Sequence, residues 1–368
     1  MKVIIIGGGI GGLTAALAFN QFGHEVSVHE RASVLRGVGA GIQLSPNAIK
    51  PLRALGLEPD IQAVASAPDT LTMRDGFSGR ALFSLPIAER AQARFGAGYF
   101  TIHRADMITL LREALIERCP YALNLNRTFV RVSQSTNEAV AHFKDGTRVS
   151  ADLIIGADGI NSAVRKAITP TDPARFTGQL AWRAIVPCAP DHPLAKDTNV
   201  WTASGKHVVT YGLRRGHVLN IVGVVEDRDW RDESWSHEGR AEDMRADLAG
   251  FAPVVSDLLK SVETCFKWAL HDRPPLDIWS KGRVTLLGDA VHPMLPFMAQ
   301  GACMAIEDAY VLARAVSEHT ELKAALTQYQ DRRLARTRKV HAVAGRNAHL
   351  FHMRNPLARQ GFRIATGF

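Results

Sequence analysis

Apolar and polar positions change rhythm several times along the chain, and each change marks an element. Lys2 leads into the unbroken run Val3 to Ile6, three glycines follow, and apolar or small residues then recur at helical spacing from Leu13 to Phe22. That order predicts a strand buried on both faces, a tight turn and a helix. A second strand over 25–30, after Gly23, completes a β-α-β unit with a right-handed crossover. Residues 31–47 form a connection rich in glycine, with Gly37, Gly39 and Gly41, that ends in Ser45-Pro46-Asn47 before a helix over 48–55. Alternation over 70–85 around Asp75-Gly76 predicts a hairpin outside the parallel sheet, and Asp145-Gly146 predicts another over 139–149. Residues 101–118 read as a helix with a strand-like lead-in, and 153–155 return as a strand to the core.

From about 175 to 230 the pattern is dominated by strand-like stretches at 180–186, 207–211 and 218–224, which predicts an antiparallel sheet in a second domain. Helical spacing returns over 240–259. A short buried strand over 284–287, a loop over 288–301 and an apolar helix over 302–316 follow. Residues 321–348 are predicted helical, their basic run Arg332, Arg333, Arg336, Arg338 and Lys339 facing solvent or a neighbouring element. No repeat or low-complexity linker separates the parts, so the expected fold is α/β with two domains interleaved in sequence.

The 368 residues are about twice an ordinary domain, enough for two cores. Lys and Arg exceed Asp and Glu by 44 to 36, but the excess is spread thinly. It defines no nucleic-acid groove and suits an anionic small molecule as well. Cys119, Cys188, Cys265 and Cys303 form no CxxC pair, so neither a disulfide framework nor a metal site is expected. The N-terminal apolar run is too short for a signal peptide, and no stretch is long enough to span a bilayer. A cytoplasmic protein without membrane contact is the expectation.

Gly7, Gly9 and Gly12 fit G-x-G-x-x-G between a strand and a helix, where missing side chains let backbone approach a pyrophosphate. Glu30, at the end of the next strand, stands where a ribose diol is accepted. Together they predict an adenine dinucleotide and leave flavin and nicotinamide open. Two later stretches decide between them. Residues 154–165, Ile-Ile-Gly-Ala-Asp-Gly-Ile-Asn-Ser-Ala-Val-Arg, and residues 288–312, from Gly-Asp-Ala-Val-His-Pro through Pro296, Gly301, Asp308 and Leu312, resemble the class A FAD-dependent aromatic hydroxylases over nearly the whole chain.

That resemblance implies a p-hydroxybenzoate-hydroxylase-like fold. An FAD-binding Rossmann-like β-α-β domain (1–70, 95–174 and 275–320) is interleaved with an antiparallel-sheet substrate domain (71–94 and 175–274), and 321–368 form a C-terminal helical segment. It implies bound FAD held by Gly7, Gly9, Gly12, Glu30, Gln43, Arg104, Asp158, Asp289, Gly301 and Ala302, with Asp158 equally suited to a structural role. NADH or NADPH visits transiently, since no second dinucleotide fingerprint exists. O2 is captured as a flavin C4a-hydroperoxide that attacks a small aromatic acid, and Pro296 shapes the wall where oxygen reacts. A homodimer is the family's expectation.

An electron-rich ring needs a base for its phenolic proton. His207 and Tyr211, four apart on one strand face, are the best pair to address one hydroxyl. Gly39-Ala40-Gly41, Pro46-Asn47, Ile102-His103-Arg104, Trp182-Arg183, Met298-Ala299-Gln300-Gly301 and the His207-x-x-x-Tyr211 pair are similar to the 6-hydroxynicotinate 3-monooxygenases, which oxidise a ring at its carboxylated carbon and release carbon dioxide. Gln43 and Phe297 stand where those enzymes carry histidines. The substrate pocket is therefore assigned to Gln43, His207, Tyr211 and Phe297, with a shift toward a less polar acid such as a hydroxybenzoate. Salicylate and 3-hydroxybenzoate hydroxylases, and a flavin oxidoreductase that does not oxygenate, are the alternatives. His292 is read as packing the cofactor loop and Cys303 as a buried spacer. Glu307 and Asp308 lie near a helix start. Arg183 and Arg214 are candidates to attract a carboxylate, although surface positions are more usual for arginine.

Overall fold

The computed structural model describes residues 1–35, 40–169, 174–227 and 237–353. Gly37, Gly39 and the tail from 354 onward lie outside these. Strand Lys2–Ile6 sits inside a six-stranded sheet, between Glu25–His29 and Leu153–Gly156. Leu123–Asn124 lies beyond the first neighbour, and Val284–Leu286 and Ser280–Lys281 lie beyond the second. All pairs are parallel except the edge hairpin of the last two strands. Val3, Ile4 and Ile5 are fully buried, as a strand covered on both faces requires. Helix Ile10–Gln21 packs against Arg104–Arg118 and Gly301–Glu318. A three-stranded antiparallel sheet (Phe129–Gln134, Ala139–Phe143, Arg148–Ala151) adds Phe129, Ala141 and Phe143 to the same core.

The second sheet has eight strands, in the order Glu238–Gly239, Cys265–Asp272, Arg175–Pro187, Val218–Glu226, Lys206–Leu213, Thr198–Ala203, Leu71–Asp75 and Ala81–Leu85. Its pairings are antiparallel except that Leu71–Asp75 runs parallel to Thr198–Ala203. The period of two divides its residues cleanly. Leu180, Trp182, Val208, Leu219 and Ile221 pack with Met244, Leu248, Val255 and Leu259 of helices Ala241–Asp247 and Pro253–Lys260. Ala181, Val222, Val224, Trp268 and Leu270 pack the other way, with Leu295, Phe297, Ala344 and Ala348. This face, toward the turn Pro296–Met298 and helix Leu322–Phe351, meets the nucleotide-binding layer.

One expectation changes. The helical stretch over 240–259 is two helices, because Gly250 takes φ +84° and Pro253 can open a helix but cannot continue one. The basic run does what either alternative allowed: Arg332, Arg336, Arg338 and Lys339 are exposed, and Arg333 is buried against helix Gly301–Glu318.

Candidate active site

The three fingerprint glycines divide by what a side chain would meet. A Cβ at Gly7 would lie 2.5 Å from the Ala157 carbonyl oxygen, and one at Gly12 would fall on the Gly7 carbonyl. At Gly9, the N-cap of helix Ile10–Gln21, it would meet nothing within 4 Å among the described residues. Gly7 and Gly12 therefore permit strand, turn and helix to touch, while Gly9 borders open space at a helix N-terminus. Among the described residues no side chain caps that helix, and none is acidic in its first turn. Its free N–H groups suit a pyrophosphate. The Glu30 carboxylate accepts from the Gly8 N–H at 2.7 Å and from the Ala32 N–H at 2.9 Å, which places it over the glycine turn.

Helix Gly301–Glu318 repeats the arrangement. Its N-cap Gln300 provides no side-chain cap and its first turn carries no acid. A Cβ at Gly301 would meet only the Asp289 carboxylate, at 3.8 Å. Asp289 lies deep in the fold yet keeps exposed surface. Burial pushes its carboxyl up, against the pull of His292 and Arg104. Arg104 follows strand Phe100–His103 and lies similarly deep, its basicity lowered by burial and partly restored by Asp289. Two uncapped helix N-termini, a deep cation and a carboxylate fit the phosphates, ribityl hydroxyls and electron-rich ring edge of FAD. Ala302 is half-buried in the same first turn. Asp158 accepts from Ser162 Oγ and from the Ala163 and Val164 N–H groups, so its carboxylate ties the turn after strand Leu153–Gly156.

Across the cleft, the second sheet presents its polar residues. His207 and Tyr211 are 2% and 4% exposed on strand Lys206–Leu213 and share its inner face. The neighbouring strand pairs Val224 with His207 and Asn220 with Tyr211. Arg183, one strand further, is opposite Val222, which also pairs with Val209. Arg183 thus stands across from the midpoint between His207 and Tyr211. Its guanidinium lies 5.1 Å from the Trp268 ring centroid. Burial, with Arg104 adding to it, brings its pKa down to about 10, still charged at neutral pH.

Strand Gly41–Leu44 closes the other side. A Cβ at Gly41 would come within 2.8 Å of Tyr211 Oη and closer to the ring edge, so only glycine lets this strand lie against the phenol. The Gly41 N–H donates to Asn220 Oδ1 at 2.9 Å. Tyr99 donates to Gln43 Oε1, and Gln43 also bonds Tyr211. Burial raises both phenols, which stay protonated, and holds the His207 imidazole well below its usual range and hence neutral. A neutral imidazole keeps one ring nitrogen with a lone pair that can accept a hydrogen bond or a proton. Phe297, in the turn opened by Pro296, lies 5.3 Å from the His207 ring.

Gln43 bonds the Tyr211 phenol, while His207 faces Phe297 and His352. Arg214 is half exposed and paired with Asp106 at 2.9 and 3.0 Å, which leaves Arg183 as the buried cation. Cys303 Sγ donates to the Gln43 carbonyl and is buried. Asp308 does not serve the helix start. It is fully buried between His292 Nε2 at 2.6 Å and Arg333 Nε at 2.7 Å, and accepts from the Gly288 N–H. Burial would raise its carboxyl, but His292 and Arg333 outweigh that and bring it to about 2. Arg333 also reaches Glu307, so the long helix clamps the cofactor loop. Tyr99, Asn220, Trp268 and His352 escaped the sequence reading. Only Asn220, a polar break in an alternating apolar strand, carried a local signal.

A family model described as an FAD binding domain matches residues 1–344. The 6-hydroxynicotinate 3-monooxygenase of Bordetella bronchiseptica is 37% identical over 362 residues, covering 96% of this chain and 93% of that one. The chain belongs to the FAD-dependent aromatic monooxygenases. A second relative, the 3-hydroxybenzoate 6-hydroxylase of Polaromonas naphthalenivorans, is 35% identical over 96% of this chain and 88% of its own. Klebsiella pneumoniae HpxO, solved with FAD and uric acid, superposes with a TM-score of 0.90 at 27% identity, over 100% of this chain and 92% of that one. The mixed α/β architecture is thus the p-hydroxybenzoate-hydroxylase-like fold, and the protein is a flavoprotein oxidoreductase that binds FAD. No described helix is long and apolar enough to cross a membrane.

Proposed function

We propose that this monooxygenase hydroxylates a small hydroxylated aromatic acid using NAD(P)H and O2, decarboxylatively when the acid is 6-hydroxynicotinate. The observation that carries the reading is the triangle of buried Arg183, His207 and Tyr211 on one sheet face. Strands two apart lie ~10 Å from each other, a span suited to a benzoate-sized ring held at its carboxylate and its hydroxyl. Arg183 binds the carboxylate and Trp268 fixes the guanidinium. Val222 and Val224 support the ring from below. Neutral His207 takes the phenolic proton, and the resulting oxyanion activates its ortho and para carbons. Tyr211 donates toward the substrate or its neighbours, positioned by Gln43 and Asn220. When bound, FAD supplies hydride acceptance and oxygen chemistry. Gly9, the Gly301 helix, Ala302, Arg104, Asp289 and Glu30 hold it, and Pro296 forms the wall by the reacting ring.

One feature favours a benzenoid acid over a pyridine. The Gln43 amide is occupied by two phenols, and Phe297 offers no polar atom beside His207. Hydroxybenzoates such as salicylate or 3-hydroxybenzoate are accordingly the second reading. In this proposal residues 71–94 and 175–274 serve the substrate, the enzyme works in the cytoplasm, and it assembles as a homodimer. Mass spectrometry after turnover with labelled O2, NADH or NADPH and each of the three acids tests it. Label in a hydroxylated product supports the reading. NADH oxidation yielding only peroxide with all three refutes it.

A further inference from the structure

His207 is not alone in its apolar surroundings. Its Nδ1 lies 2.7 Å from Nε2 of His352, at the end of helix Leu322–Phe351, and both rings are almost fully buried. Backbone bonds hold this end in place: the Gly205 N–H donates to the His352 carbonyl, and the Glu226 N–H to the Gly205 carbonyl. On its far side, His352 Nδ1 is 3.3 Å from the Gln179 amide and 3.7 Å from Glu226 Oε1, whose side chain is 35% exposed. Phe297 and Phe351 pack on the His207 ring. Among the described residues, the ionisable groups lining this path are the two imidazoles and Glu226.

One orientation of the Gln179 amide sets the direction that a relay needs. With its nitrogen toward His352, its buried Oε1 has no partner among the described residues. Turning the amide over, a choice set by the hydrogen-bond network, lets Oε1 accept from His352 Nδ1–H. His352 Nε2 must then accept from His207 Nδ1–H, and His207 Nε2 is the lone pair left for the pocket.

We propose that His352 is the positioning partner of His207, holding its Nε2 ready to take the substrate's hydroxyl proton and relaying that proton to Glu226 at the sheet edge. The inference rests on the reading of His207 as the base. The substrate O–H breaks as a bond to His207 Nε2 forms. The Nδ1 proton of His207 passes to His352 Nε2, and the Nδ1 proton of His352, let go by Gln179 as the half-exposed Glu226 side chain swings in from 3.7 Å, passes to the Glu226 carboxylate, which releases it to water. No electrons leave their atoms' lone pairs except to form these N–H and O–H bonds, and one proton moves from phenol to carboxylate. The reverse sequence resets both tautomers when the product is protonated.

Two measurements on the FAD-loaded enzyme test this. Long-range proton–nitrogen NMR with labelled histidine should find both imidazoles neutral at pH 7 and protonated at Nδ1, with His207 shifting tautomer in H352L. A wild-type His207 protonated at Nε2 overturns the proposal. In turnover with whichever of 3-hydroxybenzoate, salicylate or 6-hydroxynicotinate the wild type oxygenates, His352→Gln still accepts from His207 but passes no proton. Its KM should stay within about twofold while kcat falls about tenfold, the loss shrinking as pH rises. Glu226→Gln should lower kcat in the same direction by a smaller factor. Wild-type kcat in both variants at every pH overturns the relay, as does a loss of flavin with KM and kcat changing in parallel. If the wild type oxygenates none of the acids, the proposed function fails and the tautomer measurement alone decides the role of His352.

Discussion

The tightest sequence-to-site link is Gly41, and Gly41→Ala tests it. The added methyl would sit 2.8 Å from Tyr211 Oη and 3.0 Å from Cζ, whereas carbon contacts settle near 3.5–4.0 Å. The ring must therefore retreat by about 1 Å. It has little room, being 4% exposed and bonded to Gln43, while strand Gly41–Leu44 is held by the bond from its own N–H to Asn220 and by pairing with Phe100–His103. Overpacking of this kind costs about 1–3 kcal/mol. A 1 Å displacement of a positioning group costs up to about 100-fold in rate. Purified G41A should thus keep its flavin, melt a few degrees lower, and lose 10- to 100-fold in kcat/KM for its aromatic acid (~1.4 kcal/mol per decade). Tyr211→Ala removes the obstacle, so G41A should add almost nothing in that background, a coupling that a double-mutant cycle reads directly. Wild-type kcat/KM in G41A, or additive effects in the cycle, would refute the placement of Tyr211 against this strand.

Gly9 and Gly12 should separate cofactor binding from folding: G9V leaves soluble, folded protein with flavin absorbance lost, whereas G12V fails to accumulate, as expression yield and the visible spectrum will report. Arg183→Met should weaken binding of the aromatic acid about 10- to 100-fold, the worth of a charge-assisted bond, and barely alter binding of the phenol lacking a carboxylate. In the wild type, acid affinity should fall as pH rises through about 10, where Arg183 loses its charge. The effect on folding has the opposite sign: the unfolded arginine binds its proton more tightly, so this group's contribution to stability rises with pH between about 10 and the ordinary arginine range. For Asp308 the folded carboxyl titrates near 2 against an ordinary 3.8, so its stabilisation is complete above the latter and disappears as pH falls toward the former. Asp308→Asn should cost about 3–5 kcal/mol at neutral pH by leaving buried Arg333 without its counter-charge, and should flatten that acid limb in urea titrations.

The nucleotide half was legible because its signals are local. An unbroken Val-Ile run can only be a doubly covered strand, and glycines at fixed offsets report backbone contacts within one turn, so Gly7, Gly9 and Gly12 could be assigned from spacing alone. The alternation of 180–186, 207–211 and 218–224 likewise determined which residues share a sheet face and hence that His207 and Tyr211 do. Spacing could not say which strands would be neighbours. Arg183 stands opposite the midpoint of that pair only because Val218–Glu226 lies between their strands, a consequence of sheet order. Which member of the basic run would face a neighbouring element was decided in the same way: Arg333 is neutralised inside the fold by Asp308, 25 residues away. His352, 145 residues from His207, leaves no local pattern at all. Periodicity fixes the face a side chain occupies, whereas the partner across that face is chosen by packing between distant segments, and the chemistry of this site depends on those partners.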